Sequence, residues 1–463
     1  MRRGFNSPIP LKFFRILYFL YFLYMSFKTL IPTLIGQTIS KLLLFRNKSR
    51  GETLPGLIVL KINKNFIKDT NQSVPHRIII SGTNGKTTTT AMVTKVLRDK
   101  GISFITNPSG SNLTRGIAAA SLNISNKITH LLWEVDEAAL TEVCQQVQPT
   151  HLVFTNLFRD QLDRYGETDT ILHNWIILLK KLPKLQLILN ADDPSLVYLG
   201  QQANQHNVIY FSVRGNPNNK LDDSSDSIFC PHCRKPLVYK TITFSHLGQF
   251  SCSCGFQSPK LNFIINSFNY RDKYLQININ NLSNMTLPLI GTYNVYNSLA
   301  AYVLLNTLNF NNLDILTYLK DFQPAFGRQE IMRIKNKNIL TILVKNPTGF
   351  NQAIETLIQL NKKLTLMIAI NDKTADGKDV SWLWDVDFEK LTPIIDKLII
   401  SGDRADDMAV RIKYADFPNP KIQVINDKIK ALETFLHCDD KNLYLLPTYT
   451  ALWEIRKLIK NYE

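Results

Sequence analysis

Cysteine is scarce in this chain, and that scarcity excludes a disulfide scaffold. Six cysteines in 463 residues are too few to cross-link a protein of this length. Four of them lie between residues 230 and 254, whereas Cys144 and Cys438 stand alone. Neither isolated cysteine belongs to a motif that supplies a histidine partner, so the sequence offers no cysteine nucleophile.

Acidic residues are also under-represented. The chain has 38 Asp and Glu against 54 Lys and Arg, which gives a formal net charge of +16. This balance indicates an anionic partner such as nucleic acid, a phospholipid surface or a polyphosphate, although scattered lysine on a solvated surface accounts for it equally well. The aromatic residues do not alternate with basic ones, so no stacking platform for single-stranded nucleic acid is predicted.

The N-terminal leader, residues 1–50, lacks an apolar run long enough to span a bilayer without interruption. Basic residues precede an uncharged run, Ile16 to Phe27, and Lys28 separates this run from a second apolar piece. A transmembrane helix needs about 20 apolar residues. No small-residue cleavage site follows, which argues against a secretory signal. A membrane-surface helix or shallow anchor, a packed amphipathic helix and a true span remain open, with a location at the inner face of the membrane expected.

A glycine is missing where the general P-loop pattern places one, because Ile80 stands six positions before Lys86. A shorter form of the turn follows an apolar run and precedes a helical pattern: Gly82, Thr83, Asn84, Gly85, Lys86, Thr87 and Thr88. Its glycines let backbone N–H groups approach phosphate, the lysine supplies a mobile charge, and Thr87 or Thr88 can reach magnesium. The turn therefore predicts a site for a nucleoside triphosphate.

Apolar strand patterns alternate with helical patterns from residue 77 to residue 190. Such alternation predicts an α/β fold with a parallel sheet flanked by helices. The predicted strands are Arg77–Ser81, Ile128–Val135, His151–Asn156 and Leu185–Asn190, and the predicted helices are Thr87–Lys100, Ala138–Gln146, Thr168–Leu182 and Tyr293–Leu308. A second alternating region, Leu340 to Ile459, predicts another α/β domain, with limits of 51–325 and 326–463 for the two.

Carboxylates follow the second predicted strand, in the segment Trp133 to Glu137. A carboxylate at the end of the strand that follows a phosphate turn can hold the magnesium ion that bridges triphosphate oxygens. Glu134 is the first candidate for this role.

A polar insertion at about 226–260 carries two cysteine pairs, Cys230 with Cys233 and Cys252 with Cys254. Two pairs about twenty residues apart can close a tetrahedral thiolate shell around zinc, which predicts a structural metal site. The second pair has a single intervening residue, so His232 and His246 are alternative ligands. A redox pair is the competing interpretation.

Several motifs in a fixed order now resemble the Mur ligase superfamily, whose members activate a carboxylate with ATP and make an amide. They are Ser81–Thr88, Thr155–Gly166, Asn190–Pro194, Gly291–Asn297 and Phe326–Arg328. The cysteine insertion, with Lys345–Pro347, Asn371–Glu389, Ser401–Ala415 and Leu446–Ala451, narrows the resemblance to the MurT family. The implied fold is a P-loop Mur ligase central domain with a zinc-ribbon insertion, followed by a second α/β Mur ligase C-terminal domain.

The resemblance implies a ligase of peptidoglycan and cell-wall synthesis that uses ATP, Mg²⁺ and Zn²⁺. ATP would phosphorylate the α-carboxylate of D-glutamate in the lipid II stem peptide, and ammonia from a GatD-like glutaminase would convert the acyl phosphate to D-isoglutamine. Gln161 stands where amino-acid-adding Mur ligases usually carry histidine. A neutral amide cannot perform the same metal or proton chemistry, which fits a changed nucleophile.

The resemblance also assigns roles to individual residues. Asn190 and Asp192 would border the adenosine, Asn294 would lie near the transferred phosphate, and Arg328 would clamp phosphate. In the segment Asn371–Asp379, Asp376 would be catalytic, either by orienting ammonia or by completing a Cys-His pair in the partner. The alternative for this segment is a solvated acidic turn.

Two rival functions remain at this point. One is a stand-alone amino acid ligase of the Mur or folylpolyglutamate type, against which Gln161 and the cysteine insertion count. The other is a zinc-knuckle ATPase that acts on nucleic acid, which the net charge of +16 favours and the lack of a stacking platform disfavours.

Overall fold

The computed structural model describes residues 28–43, 53–107, 111–159, 168–215, 221, 226–271, 274–280, 283–324, 327–360, 363–418 and 421–459. They divide into two compact units, one drawn from Met1–Ile79 with Ile102–Thr150 and the other from Ile80–Gly101 with His151–Glu463. The predicted limits of the leader and of the two domains stay a prediction.

The helices are numbered in chain order. They are α1 (residues 28–43), α2 (Leu54–Ile62), α3 (Phe66–Asn71), α4 (Lys86–Asp99), α5 (Thr114–Ser121), α6 (Leu140–Val147), α7 (Thr168–Lys181), α8 (Pro194–Gln201), α9 (Thr292–Thr307), α10 (Asn312–Leu319), α11 (Pro347–Ile358), α12 (Ala405–Tyr414), α13 (Lys428–Leu436) and α14 (Tyr449–Ile459). Two short 3₁₀ helices lie at Ser381–Asp385 and Phe388–Leu391.

The strands follow the same order. They are β1 (His76–Ser81), β2 (Phe104–Thr106), β3 (His130–Glu134), β4 (His151–Phe154), β5 (Gln186–Asn190), β6 (Asn207–Val213), β7 (Val238–Phe244), β8 (Leu247–Ser251), β9 (Phe263–Arg271), β10 (Tyr274–Ile279), β11 (Ser283–Leu287), β12 (Arg328–Ile334), β13 (Lys337–Ile342), β14 (Leu364–Ala369), β15 (Ile395–Ser401), β16 (Ile422–Val424) and β17 (Asn442–Pro447). The strands and helices predicted between residues 77 and 190 are confirmed, with ends shifted by up to two residues.

The first unit packs α1, α2, α3 and α5 closely, and β2 and β3 pair in parallel. Small residues set the helix spacing. A Cβ on Gly56 in α2 would lie 1.9 Å from the carbonyl oxygen of Arg115 in α5, so a side chain there would force the helices apart. A Cβ on Gly36 of α1 would likewise clash with the side chains of Val59 and Leu122.

The larger sheet of the second unit combines parallel and antiparallel strands. The order β11-β10-β9-β6-β5-β4 has parallel pairing from β4 through β6 to β9 and antiparallel pairing from β9 to β11. The sequence analysis predicted β4 and β5, but it missed β6 as well as the strands β9–β11. Their Asn- and Ser-rich sequences leave alternate side chains partly exposed, which weakens the apolar signal of a strand.

The C-terminal part of this unit forms a six-stranded sheet in the order β12-β13-β17-β14-β15-β16. Only the β12–β13 pair is antiparallel. Buried residues of β14 alternate between two apolar clusters, because Leu366 and Ile368 belong to one and Met367 to the other. The predicted second α/β region is confirmed.

The cysteine-bearing insertion connects β6 to β9, which are neighbours in the sheet. It contains the antiparallel hairpin β7–β8.

The apolar leader run Ile16–Phe27 lies outside the described residues. Within the described ranges, no helix combines the length and the apolar character that crossing a bilayer requires.

Candidate nucleotide and metal sites

Two glycines shape the turn between β1 and α4. Gly82 has φ +125° and Gly85 has φ +89°, both in the left-handed region that favours glycine. A Cβ on Gly82 would lie 2.3 Å from Oγ1 of Thr155, and one on Gly85 would lie 2.0 Å from Oδ1 of Asn297. Both backbone conformation and close packing therefore require glycine at these positions.

Side chains and carbonyls of the segment after β4 hold the middle of the turn. The backbone N–H of Thr83 donates to the carbonyl of Asn156 at 3.1 Å, and its hydroxyl donates to the carbonyl of Phe158 at 3.1 Å. The N–H of Asn84 donates to Oδ1 of Asn156 at 2.8 Å. The predicted phosphate turn is thus a fixed structure rather than a loose loop.

Lys86 begins α4 and is folded back over the turn. Its Nζ donates to the carbonyls of Gly82 at 2.5 Å and Thr83 at 3.3 Å, and the residue is 5% exposed. Thr87 follows it and is half-buried, while Thr88 lines the adjacent cavity. The structure therefore places all the residues predicted for phosphate binding, 82–88, around one turn at a helix N-terminus.

A cavity opens beside this turn. Asn84, Gly85 and Thr88 contribute one side. Lys345 and Thr348, from the start of α11, contribute another.

The start of α11 was not predicted as part of the site. Asn346 caps this helix by accepting from the N–H of Gly349 at 2.7 Å, and its Nδ2 lies 3.4 Å from Oδ1 of Asn84. The positive end of a second helix thus faces the phosphate turn. The Asn-Pro pair signals an N-cap followed by proline at the first helical position, but nothing in it indicates where the helix would lie.

Asn294 lies behind the cavity wall and does not line it. It is 2% exposed, its Nδ2 donates to the carbonyl of Ile290 at 2.8 Å, and its Oδ1 accepts from Asn297 at 3.2 Å. Asn297, which the sequence analysis did not single out for a role, lines the cavity against Gly85. Asn294 is thereby placed to orient Asn297.

Asn190 and Asp192 are buried in a hydrogen-bond network and do not line the cavity. Asn190 donates to the carbonyl of Thr155 at 3.0 Å. The carboxylate of Asp192 accepts from Ser212 at 2.7 Å and from Tyr296 at 2.8 Å. Burial raises the pKa of Asp192 to about 6. Their predicted contact with adenosine stays a prediction.

The remaining residues predicted around the phosphates are Glu134 and Arg328. Glu134 ends β3 in the first unit, is 4% exposed, and has its backbone held on both sides by the amide of Asn107 at 2.9 Å. Arg328 is the first residue of β12 and pairs with Ile342. The Arg328 side chain and Gln161 lie outside what the structure describes, so their predicted roles stay predictions.

The four predicted zinc ligands form one cluster. The Sγ atoms of Cys230, Cys233, Cys252 and Cys254 all lie within 4.8 Å of one another. Cys230 and Cys254 are separated by 3.8 Å and Cys233 and Cys252 by 3.5 Å. A tetrahedral zinc ion with Zn–S bonds of about 2.3 Å separates its sulfurs by about 3.8 Å, so the cluster fits zinc.

Each cysteine pair lies on a turn in which the backbone changes direction at the residue that follows the second cysteine. Arg234 has φ +63° and Gly255 has φ +90° at these equivalent positions. Through this turn the short Cys-x-Cys pair presents both thiols to the cluster. The N–H of Cys254, donated to the thiolate of Cys252, lowers the pKa of Cys252 to about 7.

The two histidines considered as alternative ligands lie elsewhere. His246 is fully buried, with its ring 4.5 Å from that of Phe158 and its Nε2 3.8 Å from Oδ2 of Asp193. The ring of His232 lies 6.4 Å from that of Tyr198. Among the described residues, the four cysteines are the one group with metal-binding geometry.

Asp376 is buried rather than solvated, at 6% exposure. Its Oδ1 accepts from the backbone N–H of Thr450 at 2.8 Å, and its Oδ2 accepts from the Thr450 hydroxyl. Burial raises its pKa. The interpretation of this residue as part of a solvated acidic turn is therefore wrong, because its carboxylate binds the N-terminus of α14.

Comparison with known proteins places these features in a family. Residues 80–305 match the Mur ligase middle domain, and residues 343–452 match the MurT ligase C-terminal domain. A relative from Streptococcus pneumoniae, the lipid II isoglutaminyl synthase (glutamine-hydrolyzing) subunit MurT, is 33% identical over 444 residues, which cover 94% of this chain and 98% of the relative. The chain belongs to the MurT family. The MurT subunit of Staphylococcus aureus strain COL is also 33% identical, over 87% of this chain and 91% of its own.

Solved structures show the same fold at lower identity. A pseudomurein peptide ligase type C from Methanothermus fervidus aligns with a TM-score of 0.66 at 22% identity, covering 88% of this chain and 84% of that one. MurF from Acinetobacter baumannii aligns with a TM-score of 0.65 at 16% identity, covering 88% and 80%. The predicted Mur ligase fold is confirmed.

Proposed function

We propose that this chain is the ligase subunit of a lipid II isoglutaminyl synthase. ATP phosphorylates the α-carboxylate of D-glutamate in the lipid II stem peptide, and ammonia displaces the phosphate to leave D-isoglutamine. The observation that carries the proposal is the phosphate turn facing the start of α11, in a chain 33% identical to curated MurT subunits along most of its length.

The chemistry explains why a phosphate site serves amide formation. A carboxylate is a poor acyl donor, and phosphorylation supplies a leaving group that ammonia can displace. The protein must neutralise charge on the transferring phosphoryl group and align the attack. The turn amides and the N-terminus of α4 would hold the β and γ phosphates, with the N-terminus of α11 on the opposite side.

Lys86 supplies the mobile charge. Its ammonium group already points into the turn, where it donates to the carbonyls of Gly82 and Thr83. On nucleotide binding it would exchange these carbonyls for phosphate oxygens. Lys345, which lines the same cavity, would add a second positive charge, and Asn297 would contact the nucleotide with Asn294 behind it.

Each of the two predicted magnesium ligands, the hydroxyl of Thr87 and the carboxylate of Glu134, is by itself an oxygen donor of the kind that Mg²⁺ prefers. Bound magnesium supplies positive charge to the triphosphate oxygens. Arg328 would add a further charge from the start of β12.

The ammonia would come from a GatD-like glutaminase subunit. The curated relatives are named as glutamine-hydrolyzing subunits, and this chain lacks a cysteine nucleophile of its own, since four cysteines cluster and burial raises the pKa of Cys144 far above the neutral range. Asp376 would serve either the ammonia step or the partner's catalytic pair.

The cysteine cluster would hold a structural zinc ion. Four thiols at tetrahedral spacing leave no ligand position for substrate, so the metal would stabilise the insertion rather than take part in the reaction.

The first unit would lie against the inner face of the membrane, where lipid II resides. Helix α1 packs through Gly36 and leaves five large apolar residues 39% to 62% exposed: Leu30, Ile31, Leu34, Ile35 and Leu42. Exposed lysines at 28 and 41 flank them. An apolar helix face with basic flanks matches an anionic lipid surface.

Co-purification with a GatD-like glutaminase, followed by mass spectrometry of lipid II after incubation with ATP and glutamine, tests this function. Amidation changes a carboxylate to a carboxamide and lowers the mass of lipid II by about 1 Da. An unchanged mass with active glutaminase would refute the proposal. Transfer of an intact amino acid would instead support the stand-alone ligase.

A further inference from the structure

The hairpin β7–β8 joins the cysteine cluster to the nucleotide cavity. Its base carries the cluster, because Cys233 precedes β7 and Cys252 follows β8. Its tip is the two-residue connection Ser245–His246. A seven-residue strand such as β7 spans roughly 20 Å, so the tip lies well away from the metal site.

Two hydrogen bonds hold the end of the hairpin against the segments that carry Asp192 and Val213. The N–H of Gly248 donates to the carbonyl of Asp192 at 3.0 Å. On the other strand, the hydroxyl of Thr243 donates to the carbonyl of Val213 at 3.1 Å. These two bonds fix the tip from both strands and set the position of the residue between them.

Phe244 is the residue at the tip that stays partly exposed. Its neighbours Ser245, His246 and Leu247 are 5%, 0% and 0% exposed, whereas Phe244 is half-buried and lines the cavity. Its ring stacks at 6.2 Å on Phe158 and meets Tyr296 edge-on at 5.5 Å. Phe158 and Tyr296 line the same cavity, so the Phe244 ring forms part of an aromatic patch on the cavity wall.

We propose that the cysteine-bearing insertion forms one wall of the nucleotide cavity and that Phe244 is the surface on which the base of ATP stacks. Two other parts of the cavity lining, the turn at Gly85 and the residue Lys345, carry the donors and the charge suited to phosphates. A neutral aromatic ring offers phosphate neither positive charge nor a hydrogen-bond donor, but it can stack on the π-face of any base. This inference rests on the proposed use of ATP.

The test separates base binding from phosphate binding. Magnesium ATP and inorganic tripolyphosphate are titrated by calorimetry into the full-length protein and its variants. Base stacking contributes about 1–3 kcal/mol per base by alanine substitution, so Phe244→Ala should weaken ATP binding at least about fivefold. Its affinity for tripolyphosphate should stay within about twofold of wild type.

A second variant distinguishes loss of the aromatic ring from misfolding of the protein. Phe244→Leu keeps an apolar side chain on Phe158 and Tyr296 but removes the aromatic ring, so it should fold and still lose ATP affinity. Val238→Ala, at a 67% exposed position on the same strand, is the matched control and should bind both ligands normally. Melting temperature and zinc content report whether the insertion is intact.

Two outcomes would overturn the inference. If the folded Phe244→Leu protein binds ATP as tightly as the wild type, the Phe244 ring does not contribute to binding of the base. Equal losses for ATP and tripolyphosphate would mean that the hairpin only supports the turn, because Phe158 also donates its N–H to the Thr83 hydroxyl at 3.0 Å. Failure of the wild-type protein to bind either ligand would contradict the proposed function itself, which distinguishes the two.

Discussion

The carboxylate of Asp376 accepts hydrogen bonds from both the backbone N–H and the hydroxyl of Thr450, 74 residues away. The segment that the family resemblance marks as catalytic is therefore also the cap of the last helix. A capping carboxylate is held in place, which is what an acceptor for ammonia or for a partner's histidine requires.

We expect Asp376→Asn to abolish amidation with glutamine and to lower the free energy of unfolding by about 1 kcal/mol, since asparagine keeps one acceptor. Loss of glutamine hydrolysis in the complex would show that Asp376 completes the Cys-His pair of the glutaminase partner. Retained hydrolysis without amidation, even with free ammonia, would place it at the ligase centre. Thr450→Val, which removes the hydroxyl that donates to Asp376 and accepts from Asn371, controls for the capping contribution. Wild-type amidation by Asp376→Asn would exclude both roles.

Lys86→Ala should weaken ATP binding by at least about a hundredfold and abolish amidation, because an ammonium group held beside phosphates is lost. The free energy of unfolding should fall by about 1–2 kcal/mol, because the hydrogen bonds to the carbonyls of Gly82 and Thr83 are lost and each such bond contributes little net stability. Lys95→Ala, which changes a half-buried lysine of the same helix that pairs with Asp99 and lies outside the phosphate turn, is the control. Calorimetric titration and thermal melts measure both effects. Normal turnover in Lys86→Ala would refute the phosphate-site assignment.

Cys230→Ser should remove one equivalent of zinc per chain and lower the melting temperature by several degrees, since the cluster is the core of the insertion. Activity per folded molecule should fall less than stability. Cys438→Ser, a buried cysteine outside the cluster, should keep its zinc. Metal analysis of chelator-free protein is the measurement, and absence of zinc from the wild type would contradict the site.

Leu34→Glu should reduce cosedimentation of the full-length protein with vesicles that contain anionic phospholipid, because it places a negative charge in the exposed apolar face of α1. The matched control is Leu313→Glu, which changes another exposed leucine, on α10. ATP binding should be unaffected in both variants. A wild-type protein that remains in the supernatant, or equal binding by Leu34→Glu, would contradict the membrane assignment.

Glu454 makes stability depend on pH. Burial alone would raise its pKa, but hydrogen bonds from Lys373 and Lys428 outweigh burial and lower the pKa from 4.5 to about 2. A lowered carboxyl pKa stabilises the fold above pH 4.5, and this contribution disappears as the pH falls toward 2. Glu454→Gln should therefore cost about 1–2 kcal/mol at pH 7, after allowance for solvent screening.

Urea unfolding at pH 7, 4 and 3 measures this dependence. The difference between wild type and Glu454→Gln should shrink steadily at the two lower pH values. Asp321→Asn, at an exposed carboxylate, should show no such trend. A pH-independent difference would mean that packing rather than charge sets the contribution of Glu454.

Local patterns predicted what local physics controls. Residues close in the chain determine the left-handed backbone of Gly82 and Gly85 and the start of α4. The sequence therefore predicts the phosphate turn. Strands β9–β11 were missed because their half-exposed faces carry mostly polar residues. The solvated turn stayed an alternative for the segment around Asp376 because the neighbouring Asn, Asp and Gly residues signal a turn, whereas the burial of Asp376 depends on α14.

The sequence by itself determined the α/β class, the phosphate turn and the cysteine spacing, because each rests on periodicity or on residues close in the chain. Only the tertiary structure decided that the cap of α11 meets Asn84 from 262 residues away, and that the hairpin tip carries Phe244 into the nucleotide cavity. Such contacts depend on how sheets and helices pack against each other, and no local pattern encodes that packing.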